Sequence, residues 1–169
     1  CHLGCVEGLR SDERGFYHQY GFYDAFSLYG YPDDPDMVGV RDDYFADRYQ
    51  WWRGRSGGSA IRRNGTVIDE DGYLTDKIGR EAAAWIIAHK DEPVFAYVPF
   101  SAPHAPIQAP RAYVERFAHV ESPDRRVYFA MIAALDDAIG EILRALDTAG
   151  IADDTLVFFL SDNGAASYT

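Results

Sequence analysis

Hydrophobic and polar positions change period along this chain, and the changes mark its elements. From Thr75 the apolar positions Ile78, Ala82, Trp85 and Ile86, with His89, fall on one helical face. Thr75 stands as N-cap, and Asp76 sits at the positive end of the helix dipole. Pro93 forces an exit, and Val94-Phe95-Ala96-Tyr97-Val98 then runs without alternation, the pattern of a short buried strand. A longer helix is predicted to start at Ser122-Pro123, with Ser as N-cap and Pro in the first turn, and to stop at Gly150. Val127, Met131, Ala134, Ala138, Ile142 and Leu146 form its apolar stripe, the face expected to pack on a sheet. A second apolar run, 156–160, ends at Ser161-Asp162-Asn163-Gly164. Strand, crossover helix and strand make a βαβ unit, which places the two strands in parallel with their carboxyl tips on one edge. That geometry carries His104 toward Asp162 and Asn163.

The first third lacks such order. Phe16 to Trp52 hold thirteen aromatic residues among Gly, Asp and Pro, with no sustained period, so the segment reads as packed irregular loop. Aromatic faces there could also line a sugar or aryl pocket. Between Ser59 and Asp69, Ile61, Val67 and Ile68 flank Asn64-Gly65, a strong signal for a tight hairpin turn. Asn64-Gly65-Thr66 is also a glycosylation sequon, but the turn accounts for the same residues. The expected organisation is one incomplete α/β domain over 1–169: a loop-rich segment 1–58, a hairpin 59–72 and an α/β segment 73–169. Its sheet is expected to be partial and mostly parallel, with packed helices.

Composition narrows the class. The chain is 47% hydrophobic and has a formal net charge of −11, which argues against nucleic acid, since phosphate backbones demand clustered Lys and Arg. No run approaches the length of a membrane span. Cys1 and Cys5 flank His2, but C-H-x-x-C reverses the haem-attachment order and does not complete a zinc site. A start at Cys1-His2-Leu3-Gly4 and a stop just past a strand tip suggest a piece of something longer.

Candidate chemistry sits in two places. Between Pro99 and Pro110 four prolines preset the backbone around His104, and a rigid His beside a cation can donate a proton or hydrogen bond to an oxyanion. At the end of the second run, Asp162 and Asn163 offer a carboxylate and an amide oxygen at a strand tip, where open α/β sheets bind ligands. By themselves, Asp, Asn and Gly there read first as a turn.

The phrase Pro99-Phe100-Ser101-Ala102-Pro103-His104-Ala105-Pro106, a long helix, and then Ser161-Asp162-Asn163-Gly164 resembles the type I sulfatases of the alkaline phosphatase superfamily. Tyr73-Leu74-Thr75-Asp76 resembles the family's stretch upstream of the histidine loop. Arg14-Gly15-Phe16 through Tyr20-Gly21-Phe22 resembles its aromatic loop, and His2-Leu3-Gly4 the end of its G-K-x-H-L-G motif.

The resemblance implies a sulfuric ester hydrolase acting on a small-molecule or glycan sulfate ester. Asp162 and Asn163 would bind one Ca2+, and a formylglycine made from Cys or Ser would attack sulfur. His2 would contact that nucleophile, and His104 would hydrogen-bond the sulfate and help the leaving oxygen depart. It also implies a periplasmic, secreted or lysosomal setting. The nucleophile motif C-x-P-S-R and its Ser variant occur nowhere in the 169 residues, nor does the acidic pair that completes the calcium site, so this chain alone is expected to be inactive. Two alternatives stand beside this reading. One is a phosphonate or phosphate ester hydrolase of the same superfamily; imidazole suits zinc and an amide oxygen a hard cation, so Asn163 argues against a two-zinc phosphatase. The other is a non-catalytic, degenerate module that binds an anionic sugar through its aromatic loop.

Overall fold

The structure, a computed structural model, describes residues 6–40 and 54–164. Its frame is a pair of helices, α1 (Leu74–Ala88) and α3 (Pro123–Ala149), packed along one another. Small residues let them approach closely. Gly79 faces Ala138 so tightly that a Cβ added at Gly79 would lie 2.9 Å from the Ala138 Cβ and 3.1 Å from its carbonyl oxygen. Ala83 on α1 and Ala130 and Ala134 on α3 are buried as well. The ends of α3 follow the sequence signals: the Ser122 hydroxyl accepts the Arg125 N–H at 3.4 Å, Pro123 opens the first turn, and Gly150 closes the helix in the left-handed region at φ 72°.

α1 starts differently from expectation. Tyr73 is the N-cap and Thr75 lies inside the first turn, buried. No side chain caps this end. Instead the Leu74 N–H donates to the Tyr29 carbonyl at 2.7 Å, so the aromatic loop itself satisfies the first orphan donor of the helix.

Two small sheets flank the helices. The Asn64-Gly65 hairpin is present, both residues at positive φ (50° and 78°), joining β3 (Arg62–Arg63) to β4 (Thr66–Val67). A third strand, β1 (Tyr20–Gly21), pairs antiparallel with β3, Tyr20 opposite Arg63. The second sheet joins β2 (Met37–Gly39) to β5 (Gln108–Pro110), also antiparallel, Val38 opposite Ala109. A short helix, α2 (Arg111–Arg116), follows β5 directly. The central core gathers Tyr29, Ile61, Tyr73, Leu74, Ala102, Ile107, Ala109, Val127, Ala130, Met131 and Ala134, so loop, hairpin, proline-rich segment and both long helices meet in one cluster.

The predicted parallel strand pair is where structure and expectation part. Helices packed with small sheets agree with an α/β fragment, but every strand pairing among the described residues is antiparallel. Residues 94–98 and 156–160 belong to no ladder. Most of their side chains are exposed, Phe95 at 77% and Leu160 at 83%, with Val94 and Val98 half-buried. Composition alone makes no strand, because backbone donors and acceptors need a neighbour. The stripe of α3 accordingly packs on α1 and β5 rather than on a parallel sheet.

A charged cluster fastens hairpin to helix. Arg63 donates from Nε and Nη2 to the two carboxylate oxygens of Glu81, at 2.8 and 2.7 Å, and His18 Nε2 lies 2.9 Å from Glu81 Oε1. The Arg63 hydrogen bonds hold the Glu81 carboxyl below its ordinary range, against the opposing effect of burial and with help from His18.

Two outcomes are expected. Gly79→Leu should cost about 1–3 kcal/mol by overpacking against Ala138, while Gly140→Ala, whose new Cβ meets only the side-chain tip of Arg144, should gain up to about 1 kcal/mol from helix propensity. Thermal denaturation of both variants decides; equal shifts would remove the close-approach account. For Glu81, a folded-state pKa below the unfolded one means a contribution that is full above the ordinary value of 4.5 and disappears as the pH falls through the folded value. The stability advantage of the native chain over Glu81→Gln should therefore shrink between neutral pH and the acid side of 4.5. A pH-independent difference in urea midpoints would contradict the assignment.

Candidate active site

The histidine loop is anchored everywhere except at its histidine. Ala102, Ala105, Pro106, Ile107, Gln108 and Ala109 are buried, while His104 is exposed. Cis peptide bonds precede Pro103 and Pro106. The His104 N–H donates to the Ser101 carbonyl at 2.9 Å, and its own carbonyl accepts the Tyr29 hydroxyl at 3.0 Å. His104 Nδ1 lies 2.9 Å from the Ala105 carbonyl oxygen. A carbonyl only accepts, so Nδ1 carries the hydrogen of that contact and Nε2 is left for another partner. The Phe26 ring stands 5.1 Å from the imidazole, tilted by 47°.

Gln108 ties this loop to the aromatic segment. Its side chain is fully buried; Oε1 accepts the Tyr29 N–H at 2.9 Å and Nε2 donates to the Gly30 carbonyl at 3.1 Å. Its backbone carbonyl accepts the Tyr73 hydroxyl at 3.0 Å, and the Tyr29 and Tyr73 rings pack 5.8 Å apart. Burial, reinforced by the nearby Asp76 carboxylate and opposed by a hydrogen bond with Thr75, pushes the Tyr73 hydroxyl pKa far up, so it remains a donor at any ordinary pH. Tyr29, Gln108 and Phe26 were not evident as site residues from pattern. The available signal was Gln108 itself, an amide between Ile107 and Ala109 in an otherwise apolar, proline-rich stretch, which must find partners if buried.

Asp162 and Asn163 occupy a tight turn. Asp162 Oδ1 accepts the Asn163 N–H at 2.9 Å, and the Ser161 hydroxyl donates to the Asn163 carbonyl at 2.6 Å. All three residues are exposed. Asp162 Oδ2 and the Asn163 side-chain amide have no hydrogen-bond partner among the described residues. No hydrogen bond or ring contact links them to His104. Among the described residues no three His, Cys, Asp or Glu side chains group as a metal site. His2 lies outside the described residues, as do Cys1 and Cys5.

A surface recess elsewhere is lined by Tyr31, Asp33, Asp34, Pro35, Asp71 and Gly72. Three carboxylates make it hostile to a sulfate or phosphate group. Two guanidiniums touch its lining and both are committed: Arg55 bonds the Leu28, Tyr29, Glu70 and Gly72 carbonyls and lies over the Tyr31 ring, and Arg111 donates to the Pro35 carbonyl at 3.0 Å.

Comparison with known proteins bears on the family of the chain. Arylsulfatase of Klebsiella aerogenes is 27% identical over 97% of this chain and 43% of its own length. N-acetylgalactosamine-6-O-sulfatase of Bacteroides thetaiotaomicron is 38% identical over 57% of this chain and 17% of its own. Among solved structures, Ps i-CgsB in complex with k-i-k-neocarrahexaose superposes with a TM-score of 0.68 at 25% identity, over 87% of this chain and 32% of that one. This chain thus spans less than half the length of these relatives. The family model described as Sulfatase matches residues 8–169, nearly the whole chain, and on that match the chain belongs to the sulfatase family, sulfuric ester hydrolases of α/β fold.

Proposed function

We propose that this chain is the part of a sulfate-ester hydrolase that supplies the leaving-group histidine, His104, and two metal ligands, Asp162 and Asn163. One observation carries the reading: His104 is exposed on a loop whose neighbours from Ala105 to Ala109 are all buried. An anchored backbone that presents a single titratable side chain to solvent has the form of a functional residue rather than a packing one. When the S–O bond of a bound ester breaks, the departing oxygen needs a proton; imidazolium at His104 would give it from Nε2 and become neutral imidazole.

The donor set at 161–164 fits calcium in kind but supplies only part of its shell. Asp162 Oδ2 and the Asn163 amide oxygen are hard oxygens open to a cation, and the amide oxygen disfavours zinc. Calcium takes about six to eight oxygens, so these two hold it weakly unless others join them. A calcium ion bound there would place positive charge against a sulfate oxygen. His2 would contact the formylglycine nucleophile. That nucleophile's C-x-P-S-R or S-x-P-S-R motif is absent from the 169 residues, and the chain alone is proposed to be without turnover. The substrate class is an aryl or glycan sulfate ester, in keeping with the names of the relatives, and the setting is periplasmic, secreted or lysosomal.

Two measurements test this in a polypeptide that continues the chain to the length of its relatives. His104→Ala should lower turnover of an aryl sulfate by at least about 100-fold, the usual scale for a general acid; native-level turnover sinks the assignment. Asp162→Ala should abolish the thermal stabilisation that calcium brings, and an unchanged calcium response would show that 161–164 is only a turn.

A further inference from the structure

The described part of the aromatic loop reaches the histidine from two directions. Tyr29, 1% exposed, is the crossing point. Its backbone N–H is held by the Gln108 amide, four residues beyond His104, and its hydroxyl donates to the His104 carbonyl. Its own carbonyl accepts from Leu74 at the start of α1, and from Arg55 Nη2 at 2.7 Å. Every polar backbone atom of Tyr29 is thus committed to a different element, so the hydroxyl is delivered from a fixed point. Phe26, three residues earlier, sets its ring against the imidazole.

What the hydroxyl fixes is the peptide unit between His104 and Ala105. The carbonyl of His104 belongs to that unit, and the acceptor for Nδ1 is the carbonyl of the next one. If the backbone at His104 rotates, the short Nδ1–H contact is lost and the hydrogen is free to move to Nε2. The consequence is chemical: only a neutral ring with its hydrogen on Nδ1 has Nε2 ready to take up, and then return, the proton that the leaving oxygen needs.

We propose that Tyr29 is a positioning residue for His104, its hydroxyl holding the His104 carbonyl so that the imidazole stays in the Nδ1–H form with Nε2 presented. This rests on His104 being the leaving-group acid, but its first test does not. Long-range 15N–1H spectra of the present chain, recorded with the imidazole neutral, report which ring nitrogen is protonated. The native chain should show the Nδ1–H pattern. Tyr29→Phe keeps the ring and the Gln108 contact and removes only the hydroxyl, and it should move His104 toward a mixture of tautomers. Tyr73→Phe removes an equally buried hydroxyl that bonds Gln108 instead, and it should leave the His104 pattern as it was. An Nε2–H pattern in the native chain, no change in Tyr29→Phe, or equal changes in both variants would overturn the proposal.

In the polypeptide of full family length, Tyr29→Phe should lower kcat for an aryl sulfate about 10-fold at unchanged KM, within the range that small misplacements of a catalytic group produce. A rise in KM at unchanged kcat would instead make Tyr29 a substrate-binding residue and overturn the positioning role. The two readings fail separately: native-level turnover in His104→Ala sinks the leaving-group role and leaves the tautomer result standing.

Discussion

The buried carboxamide of Gln108 is the constraint on which the rest depends. In a core built from Ile107, Ala109, Leu74 and Met131, an unpaired amide would be costly, about 1–3 kcal/mol per polar atom left without a partner. Gln108 avoids that cost by imitating a strand: its oxygen takes the Tyr29 N–H and its NH2 group meets the Gly30 carbonyl. The aromatic segment therefore acquires a β-like neighbour at a point where no backbone strand reaches it. Because β5 begins at the same residue, one side chain sets both the register of the small second sheet and the path of the aromatic loop.

From that joint the other contacts follow in sequence. The Tyr29 carbonyl caps α1, so the helix starts at Leu74 rather than at a residue with a capping side chain. Arg55 gathers the Leu28, Tyr29, Glu70 and Gly72 carbonyls, closing the turn that leads into α1. α1 then meets α3 at the Gly79 and Ala138 contact, and the upper half of α3 covers the joint with Val127, Ala130 and Met131. The histidine loop runs over this assembly with its backbone buried and its imidazole outside. Rigid support below and solvent above suits the role proposed for His104, which needs one ring nitrogen available.

The apolar runs at 94–98 and 156–160 show the opposite condition. Both have the unbroken Val, Phe, Leu and Tyr content of strands buried on two faces, and both expose most of those side chains here. Among the described residues, the ring of Phe95 meets that of Phe16 at 6.1 Å. Apolar surface on this scale is what a sheet interior covers with strands on either side, and this chain spans 32% of the solved sulfatase-like chain it superposes on. Asp162 and Asn163 sit at the end of such a run, so their distance from His104 depends on a sheet that the described residues do not form.

Local physical chemistry made much of this legible without coordinates. Ser122, Pro123 and Gly150 bound α3 because a hydroxyl, a missing N–H and a left-handed residue act within a turn of themselves. Asn64-Gly65 makes its hairpin because positive φ at two successive positions is a property of those residues. Family-specific phrases around His104 and Asp162-Asn163 were readable for the same reason. Tertiary structure alone decided what lies far apart in sequence: that β2 pairs with a proline-bounded β5, that a carbonyl rather than Thr75 caps α1, and that Tyr29 and Gln108 join across 79 positions to hold His104. Pairings of that kind leave no period or cap in the chain, because each partner looks ordinary until folding brings the two together. The same dependence governs the two apolar runs, whose composition asks for a parallel sheet and which join no ladder among the described residues.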